Sequence, residues 1–404
     1  MTVSGIPHLL SRQSAGKVLA VSIALAFEVG AIPPRVSVHS GTVQTNVLSS
    51  PLVPGHPADR AIAAGQRLIS TLQLRTGQYV RLVLYQPGNQ LDISLEDPGG
   101  NRLVQYRNRL RQQVSLSALA RLTGTYTVTV SSRDGAGYYR LSVAELRDER
   151  LSDEEDIRAE RAFEEAERLS SEYTSESSRA SIPKYQEAAL HWGYGGDGIG
   201  QTAAFVALGE VFTRLSERRA ADQNFNRALW SSQSAGDKPG IARALNHLAY
   251  NYIELNQIDR STRLSTEALR ISREACNREQ EGWALFNSAY ASEMKGDKQT
   301  GLEFYQQALD VFTSIEDRPG QAHTLSFMGL VRMDTGDLPG ARECLQKRAL
   351  PLWEACGDRW GKALAENTLA LVYDGMGERE AALGLDRESA AAFHLMCDRE
   401  HEAV

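Results

Sequence analysis

Apolar and polar positions follow three different patterns along this chain of 404 residues. Near the start, residues 18–27 form an almost unbroken apolar run. Between residues 61 and 145, apolar side chains occupy every second position of short runs, which is typical of strands with one buried face. Beyond residue 147 they recur every third or fourth residue, as on one face of a helix. The pattern predicts a targeting segment, a β domain and an all-α region.

The apolar run at 18–27 follows Arg12 and Lys17, and small residues come after it at 29–31. The run is shorter than the roughly 20 residues that cross a bilayer. Residues 1–31 are therefore predicted to be a secretory signal peptide. The alternatives are an uncleaved anchor or a wrongly assigned start. Cleavage would leave no stable membrane span and would place the protein in the periplasm or outside the cell.

Residues 32–58 are rich in Pro, Ser and Thr without a period, and they are predicted to be a linker. Residues 59–146 are predicted to form a small antiparallel β-sandwich, because strand patterns follow one another without helices between them. The predicted strands are 68–74, 79–85, 91–95, 124–130 and 138–143. Turn residues stand at 76–77, 87–89, 97–101 and 134–135.

The β segment resembles the bacterial pre-peptidase C-terminal-like domain, a small jelly-roll module. The resemblance rests on LDISLEDPG at 91–99, GTYTVTV at 124–130 and GYYRLSV at 137–143. Such modules are ancillary in the families that carry them, so the resemblance implies no catalysis. Asp92 and Asp97 could lie near a cation, but a turn or strand-edge role is favoured because no cluster of oxygen ligands surrounds them.

Residues 147–178 are predicted to form a charged connector helix between the sandwich and the region that follows. Its apolar stripe opposes a face of mixed charge, which is more typical of a solvated surface than of a binding tail. The stripe consists of Ala159, Ala162, Phe163, Ala166, Leu169 and Tyr173.

Six dipeptides recur at nearly constant spacing in the second half of the chain. They are Gly196-Asp197, Gly236-Asp237, Cys276-Asn277, Glu316-Asp317, Gly357-Asp358 and Cys397-Asp398. The steps between their second residues are 40, 40, 40, 41 and 40. Such a period marks an array of short units, each too small to bury its apolar face alone. Columns of small residues and internal turns predict a helical hairpin in each unit.

This pattern resembles the tetratricopeptide repeat, in its bacterial variant of about 40 residues. The resemblance covers residues 179–404 and implies a half repeat followed by five helix pairs. An extra residue near 347–348, together with Pro351, predicts a kink or early break in the second helix of the fourth unit. Glu366 stands where the other units carry an apolar residue, which puts the packing of the last unit in question. No polar cap is visible at the end, so the array is expected to have continued in a longer ancestor.

The order of signal peptide, sandwich, charged helix and repeats resembles the front half of bacterial proteins that end in a CHAT-type caspase-like peptidase domain. In that family the catalytic His and Cys belong to the C-terminal domain, and nothing in this sequence matches it. No catalytic residue is therefore assigned.

Composition narrows the functional classes. The net charge of −7 gives no global basic field, which disfavours nucleic acid as a partner. Four cysteines are too few for a disulfide framework. The repeat histidines have no Cys or carboxylate at ligand spacing, and no P-loop or Gly-x-Ser-x-Gly elbow occurs. We therefore expect neither enzymatic activity nor a cofactor or metal.

Stacked helical hairpins are expected to form a concave face from their first helices, and this face is predicted to bind a protein or peptide. Aromatic rings would supply contact area there, while amides would pair with an extended backbone. The candidate residues are Arg243, Asn246, Tyr250, Trp283, Phe286, Tyr290, His323 and Ser326. The alternative is that Trp283, Phe286 and Tyr290 only pack between adjacent hairpins.

The sequence thus predicts a multidomain protein, a jelly-roll-like sandwich followed by an all-α tetratricopeptide solenoid. The first functional hypothesis is an exported, non-catalytic scaffold for protein–protein interaction. The second is the regulatory fragment of a CHAT-type peptidase whose catalytic half is missing or separately encoded. The third is envelope or glycan binding through the sandwich, with the repeats as a spacer.

Overall fold

The structure is a computed structural model that describes residues 50–86, 91–107, 113–132 and 137–397. The predicted signal peptide, most of the predicted linker, the turns at 87–89 and 134–135, and Asp398 lie outside the described residues. The described residues fall into two compact units: 50–164 with 190–197, and 165–189 with 198–397.

Nine strands build the first unit. They are β1 (Ser50–Pro51), β2 (Ala58–Ile62), β3 (Arg67–Leu74), β4 (Gln78–Tyr85), β5 (Leu91–Glu96), β6 (Arg102–Arg107), β7 (Gln113–Leu119), β8 (Gly124–Ser132) and β9 (Gly137–Asp148). They form a five-stranded sheet in the order β1-β3-β8-β5-β6 and a four-stranded sheet in the order β2-β9-β4-β7. All pairs are antiparallel except β1 with β3.

Alternating side chains form the core of the sandwich, as the period of two requires. Leu82, Ile93, Leu116 and Val128 are each completely buried there. The five predicted strands are confirmed, although β9 continues to Asp148. The sequence pattern missed four strands, β1, β2, β6 and β7. β1 and part of β2 fall in the stretch predicted to be a linker. They were missed because strands this short have too few positions to show alternation.

Twelve helices follow the strands in the described part of the chain. They are α1 (Asp153–Ser170), α2 (Ser175–Gly195), α3 (Gly198–Arg214), α4 (Arg218–Ala235), α5 (Lys238–Glu254), α6 (Ile258–Glu274), α7 (Arg278–Met294), α8 (Lys298–Ser314), α9 (Arg318–Asp334), α10 (Leu338–Arg342, then Glu343–Ala349, then Leu350–Cys356), α11 (Arg359–Gly375) and α12 (Arg379–Cys397). From α3 onward each helix packs against the next, which is the arrangement of a helical solenoid.

The charged segment begins as a strand and not as a helix. Arg147 is still part of β9, and α1 starts only at Asp153. The reason is an ion pair: the guanidinium of Arg147 donates to both carboxylate oxygens of Asp153 at 2.7 Å, while the backbone N–H of Arg150 also donates to Asp153. The buried Asp153 therefore fixes the turn between strand and helix.

Five of the six repeated dipeptides, those from 196–197 to 357–358, lie wholly within the described residues, and they mark the passage from one helical unit to the next. Their first residues adopt left-handed backbone, with φ of +67° at Gly236, +52° at Cys276 and +55° at Glu316. This is the conformation that ends a helix. Their second residues precede the next helix, and Asn277 and Asp317 accept backbone hydrogen bonds there as N-caps. Each dipeptide is thus a helix stop followed by a helix start.

The 41-residue step is accommodated inside α10. Residues Glu343–Ala349 form a π-helical segment, whose wider turn takes up one extra residue without changing the phase of the flanking helix. Pro351 follows two residues later, where it lacks an N–H and would crowd the carbonyl four residues before it in a regular helix. The predicted irregularity is confirmed, in the form of a π segment.

Glu366 is accommodated with little disruption. Its side chain lies 3.4 Å from the ammonium of Lys362 one turn earlier, and burial raises the pKa of its carboxyl.

In the described residues, none of the helices has both the length and the apolar composition that a bilayer crossing demands.

Candidate functional site

The eight predicted partner-binding residues lie on α5, α7 and α9, the first helices of three successive hairpins. None is freely accessible: relative exposure ranges from 2% for Phe286 to 7% for Arg243 and Tyr250. These helices are buried on nearly all sides because small residues let neighbours approach closely. A side chain at Gly329, for example, would place its Cβ 2.6 Å from Leu345.

The aromatic members pack within and between hairpins. Trp283 lies 5.0 Å from Phe312 and 5.6 Å from His323, measured between ring centroids. Phe286 lies 4.9 Å from Phe327, nearly perpendicular to it. Such edge-to-face pairs stabilise a core beyond the area they bury. These rings therefore lie in the packing between hairpins, as the alternative interpretation expected. A role in contact with a partner stays a prediction.

The amides on this side of the helices are engaged with the next repeat. Asn246 donates to the backbone carbonyl of Gln280 at 2.9 Å, and Asn287 donates back to the carbonyl of Asn246, also at 2.9 Å. These bonds join α5 to α7 and fix their register. Asn287 was not among the predicted residues, although it stands one repeat and one position after Asn246 in the sequence.

A buried network of charged and polar side chains lies at the C-terminal end of α5, around Glu254. Glu254 accepts from Tyr290 at 3.0 Å and from Arg218 at 3.1 Å. Only 3% of the Glu254 side chain and 14% of the Arg218 side chain are exposed. Burial, reinforced by the neighbouring carboxylate of Glu254, raises the pKa of both Tyr250 and Tyr290 well above 10.

Sequence spacing contained a signal for this network. A basic residue at the start of a hairpin's second helix meets an acidic residue 36 positions later, at the end of the next hairpin's first helix. Arg218 with Glu254 and Lys298 with Asp334 follow this rule. The interval equals one repeat minus about one helical turn, so it recurs with the repeat.

Three polar atoms of the predicted face have no hydrogen-bond partner among the described residues. They are the side-chain oxygen of Asn246 and both ring nitrogens of His323. Burial lowers the pKa of His323 to about 4, so the ring is neutral at physiological pH. Its neighbours include Trp283 at 5.6 Å and Trp353 at 5.0 Å. A neutral imidazole in such surroundings could accept one hydrogen bond and donate another.

Two carboxyl groups lie at the N-terminal ends of the same helices. Burial raises the pKa of Glu279 to about 7 and that of Asp317 to about 6. Arg243 opposes the shift at Glu279, whereas the backbone N–H of Gly320 opposes it at Asp317. The candidate site is therefore weakly acidic at one end and aromatic in its middle.

The described residues contain no group of three or more His, Cys, Asp or Glu side chains that could hold a metal ion. On the sandwich, Asp97 fills the turn role favoured by its sequence. Its carboxylate accepts from the backbone N–H groups of Gly99 and Asn101 at 2.8 Å each. These bonds and the Asn101 side chain lower the pKa of Asp97.

No protein-family model matches the sequence, and no curated protein matches it. Among solved structures, this chain is similar to the apo form of RapI, with 14% identity and a TM-score of 0.49 over 60% of this chain and 85% of that one. It is also similar to BtubC from P. vanneervenii, with 18% identity and a TM-score of 0.42 over 57% of this chain and 92% of that one. The pre-peptidase C-terminal domain of a collagenase from Bacillus anthracis matches at 16% identity, with a TM-score of 0.22 over 24% of this chain and 95% of that one.

At these identities and TM-scores, the likenesses carry no argument about function. The class of protein is defined by the chain's own geometry: a β-sandwich followed by a solenoid of helical hairpins with a period of about 40 residues, as in tetratricopeptide-like arrays.

Proposed function

We propose that the helical array is a protein-interaction module that holds an extended segment of a partner against α5, α7 and α9. The observation that carries the proposal is the set of unpaired polar atoms on His323 and Asn246. A buried polar atom without a hydrogen bond costs about 1–3 kcal/mol. The backbone of a partner segment offers the donors and acceptors that these atoms lack, so binding would recover that cost.

Access to these atoms requires neighbouring hairpins to separate slightly. A solenoid permits this because each repeat contacts only its neighbours, so one interface can open while the others stay closed. The aromatic side chains of Trp283 and Phe286 would then become contact area for the partner, which is the role that aromatic residues fill in many interfaces.

The test uses two buried histidines as a matched pair. His323→Phe keeps an aromatic ring but removes both nitrogens of the proposed site. His247→Phe makes the same change at a histidine that stacks on Phe225, outside the predicted set. Both variants and the wild type serve as bait in cross-linking capture from the native organism. Each candidate is then purified, and its affinity for each bait is measured by calorimetry.

The proposal expects a protein that binds the wild type and His247→Phe, and that binds His323→Phe at least about tenfold more weakly. It is contradicted if no protein distinguishes the two variants while both melt like the wild type. Unchanged melting is the control that separates lost binding from lost folding.

Export is a second part of the proposal, and it is supported by the basic and apolar pattern of the first 31 residues. Expression of the complete chain in the native host, followed by cell fractionation and N-terminal sequencing, tests it. The expected result is a mature chain that begins near residue 32 outside the cytoplasm. An intact N-terminus in the cytoplasmic fraction would overturn this part alone.

The alternative of a CHAT-type regulatory fragment draws on the order of sandwich and repeats. It makes a distinct prediction, namely a caspase-like domain encoded in frame with this chain or beside it. Sequencing the native locus separates the two functions.

A further inference from the structure

The hairpin formed by α3 and α4 carries a groove whose lining includes none of the eight predicted partner-binding residues. It is an open groove of about 380 Å³ between the two helices. Its lining consists of Gln201, Phe205, Gln223, Asn226, Arg227 and Trp230. Trp230 is the most conspicuous of these side chains, because 67% of its surface is exposed to solvent.

The residues equivalent to Trp230 differ from one repeat to the next. One and two periods later, the column of Trp230 holds Arg270 and Asp310. Arg270 forms ion pairs with Glu267 at 2.6 Å and with Glu274, so the corresponding surface of the next second helix is a charged network. The next two hairpins thus carry charged residues where the α3–α4 hairpin carries an indole, whereas Leu190, one period earlier, is also apolar and 53% exposed.

Phe205 is also more exposed than the equivalent residues of the later repeats. Its equivalents Leu245, Leu285 and Leu325 are 2–5% exposed and belong to the packed core. Phe205 is only half-buried, and its ring forms part of the groove wall. Two large aromatic side chains are thus partly open to solvent at adjacent positions of one hairpin. Exposed apolar surface of this kind marks interaction sites.

The polar part of the lining has a definite charge. Arg227 lies over the ring of Phe205, with its guanidinium carbon 5.9 Å from the ring centroid. The remaining polar members, Gln201, Gln223 and Asn226, are neutral amides, and the lining contains no carboxylate from the part of the chain that the structure describes. The groove therefore presents one positive charge between two aromatic surfaces, together with amides that can pair with a peptide backbone.

We propose that this groove binds an extended peptide segment of a partner protein, with one bulky apolar side chain against Trp230 and Phe205 and an acidic residue beside it facing Arg227. Tryptophan and arginine are the residues most enriched among interface hot spots, and here they stand together. An acidic residue is required because the groove supplies a cation and no anion.

The test begins with selection of twelve-residue peptides from a random display library on the complete chain. Binders are synthesised, and their affinity is measured by fluorescence anisotropy against the wild type and three variants. Trp230→Arg installs the residue of the next repeat, Arg227→Glu reverses the charge, and Arg270→Ala is the matched control in the equivalent column. Circular dichroism and melting verify that each variant is folded.

The expected binders combine an aromatic or long aliphatic residue with Asp or Glu. They should lose at least about tenfold in affinity to Trp230→Arg and to Arg227→Glu, and nothing to Arg270→Ala. Binders that lack an acidic residue, or that bind Trp230→Arg as well as the wild type, overturn the proposal. So does sedimentation in which the wild type self-associates and Trp230→Arg does not, because the occupant would then be a second copy of this chain.

Discussion

The hydroxyl of Tyr290 donates a hydrogen bond to the carboxylate of Glu254 in the preceding hairpin, with 3.0 Å between the oxygens. Glu254 also binds the guanidinium of Arg218, so side chains from α4, α5 and α7 meet at one buried carboxylate. A buried charge is tolerated only when it is paired, and here the pairing partners come from different helices. The contact between repeats is thus specified by charge as well as by shape.

This network predicts unequal effects of two substitutions. Glu254→Ala leaves Arg218 buried without a carboxylate and should lower the free energy of unfolding by about 3 kcal/mol. Tyr290→Phe removes one hydrogen bond and should cost about 1 kcal/mol. Urea denaturation monitored by circular dichroism measures both. Equal or reversed losses would contradict the assignment of Glu254 as the centre of the network.

Trp283 should behave as a core residue. Trp283→Ala removes an indole that is 5% exposed and should lower the free energy of unfolding by about 4 kcal/mol. Trp230→Ala is the matched control, because its ring is 67% exposed and its loss should cost less than about 0.5 kcal/mol. If both variants unfold like the wild type, Trp283 is accessible after all, and its packing role is refuted.

The helix-ending residue of the repeated dipeptides should prefer glycine. Glu316 holds φ at +55°, where a side chain strains the backbone, so Glu316→Gly should raise the free energy of unfolding by about 1 kcal/mol. The reciprocal change, Gly236→Ala at φ of +67°, should lower it by a similar amount, about 1 kcal/mol. Thermal melting of both variants checks the pair. A destabilised Glu316→Gly would show that the glutamate side chain contributes more than the strain costs.

Acid should destabilise the array through His323. Its pKa is about 4 in the folded chain and near 6.5 in the unfolded chain, so the unfolded state binds a proton first as the pH falls. The neutral ring therefore contributes fully above pH 6.5, and up to about 3 kcal/mol of stability is lost as the pH approaches 4. His323→Phe should remove this part of the pH dependence. If the stability of variant and wild type depends on pH in the same way, the pKa of His323 does not differ between the folded and the unfolded chain.

The π segment of α10 predicts a specific pair of effects. Deleting Lys347, which is exposed, restores the 40-residue period and should convert the segment to regular α-helix. Pro351 then sits inside that helix, so the deletion alone should cost about 3 kcal/mol. Combining the deletion with Pro351→Ala should restore most of the loss. Thermal melting distinguishes the outcomes, and a double variant no more stable than the deletion would show that the extra residue is needed for itself.

Local patterns in the sequence were sufficient for the helical hairpins and their order. The dipeptide spacing located every hairpin boundary in the described array, because a residue such as Cys276 or Glu316 in left-handed backbone and a capping Asp or Asn must follow each other wherever one helix ends and the next begins. The five clearest strands were likewise visible. β6 and β7 were missed. β6 has no clear period of two, so its pairing with β5 makes it a strand, whereas β7 does alternate, with Val114, Leu116 and Ala118 buried.

The role of individual side chains was decided only by the tertiary structure. Position in the repeat placed Trp283 and His323 on the first helices, but it gave no measure of how closely neighbouring hairpins approach. That distance depends on pairs far apart in the chain, such as Gly329 against Leu345. The sequence by itself determined a sandwich followed by stacked hairpins, because period and turn chemistry are local properties. Which side chains are buried, which polar atoms lack partners and where an aromatic groove opens were decided by packing, because burial is a property of contacts that no single stretch of chain contains.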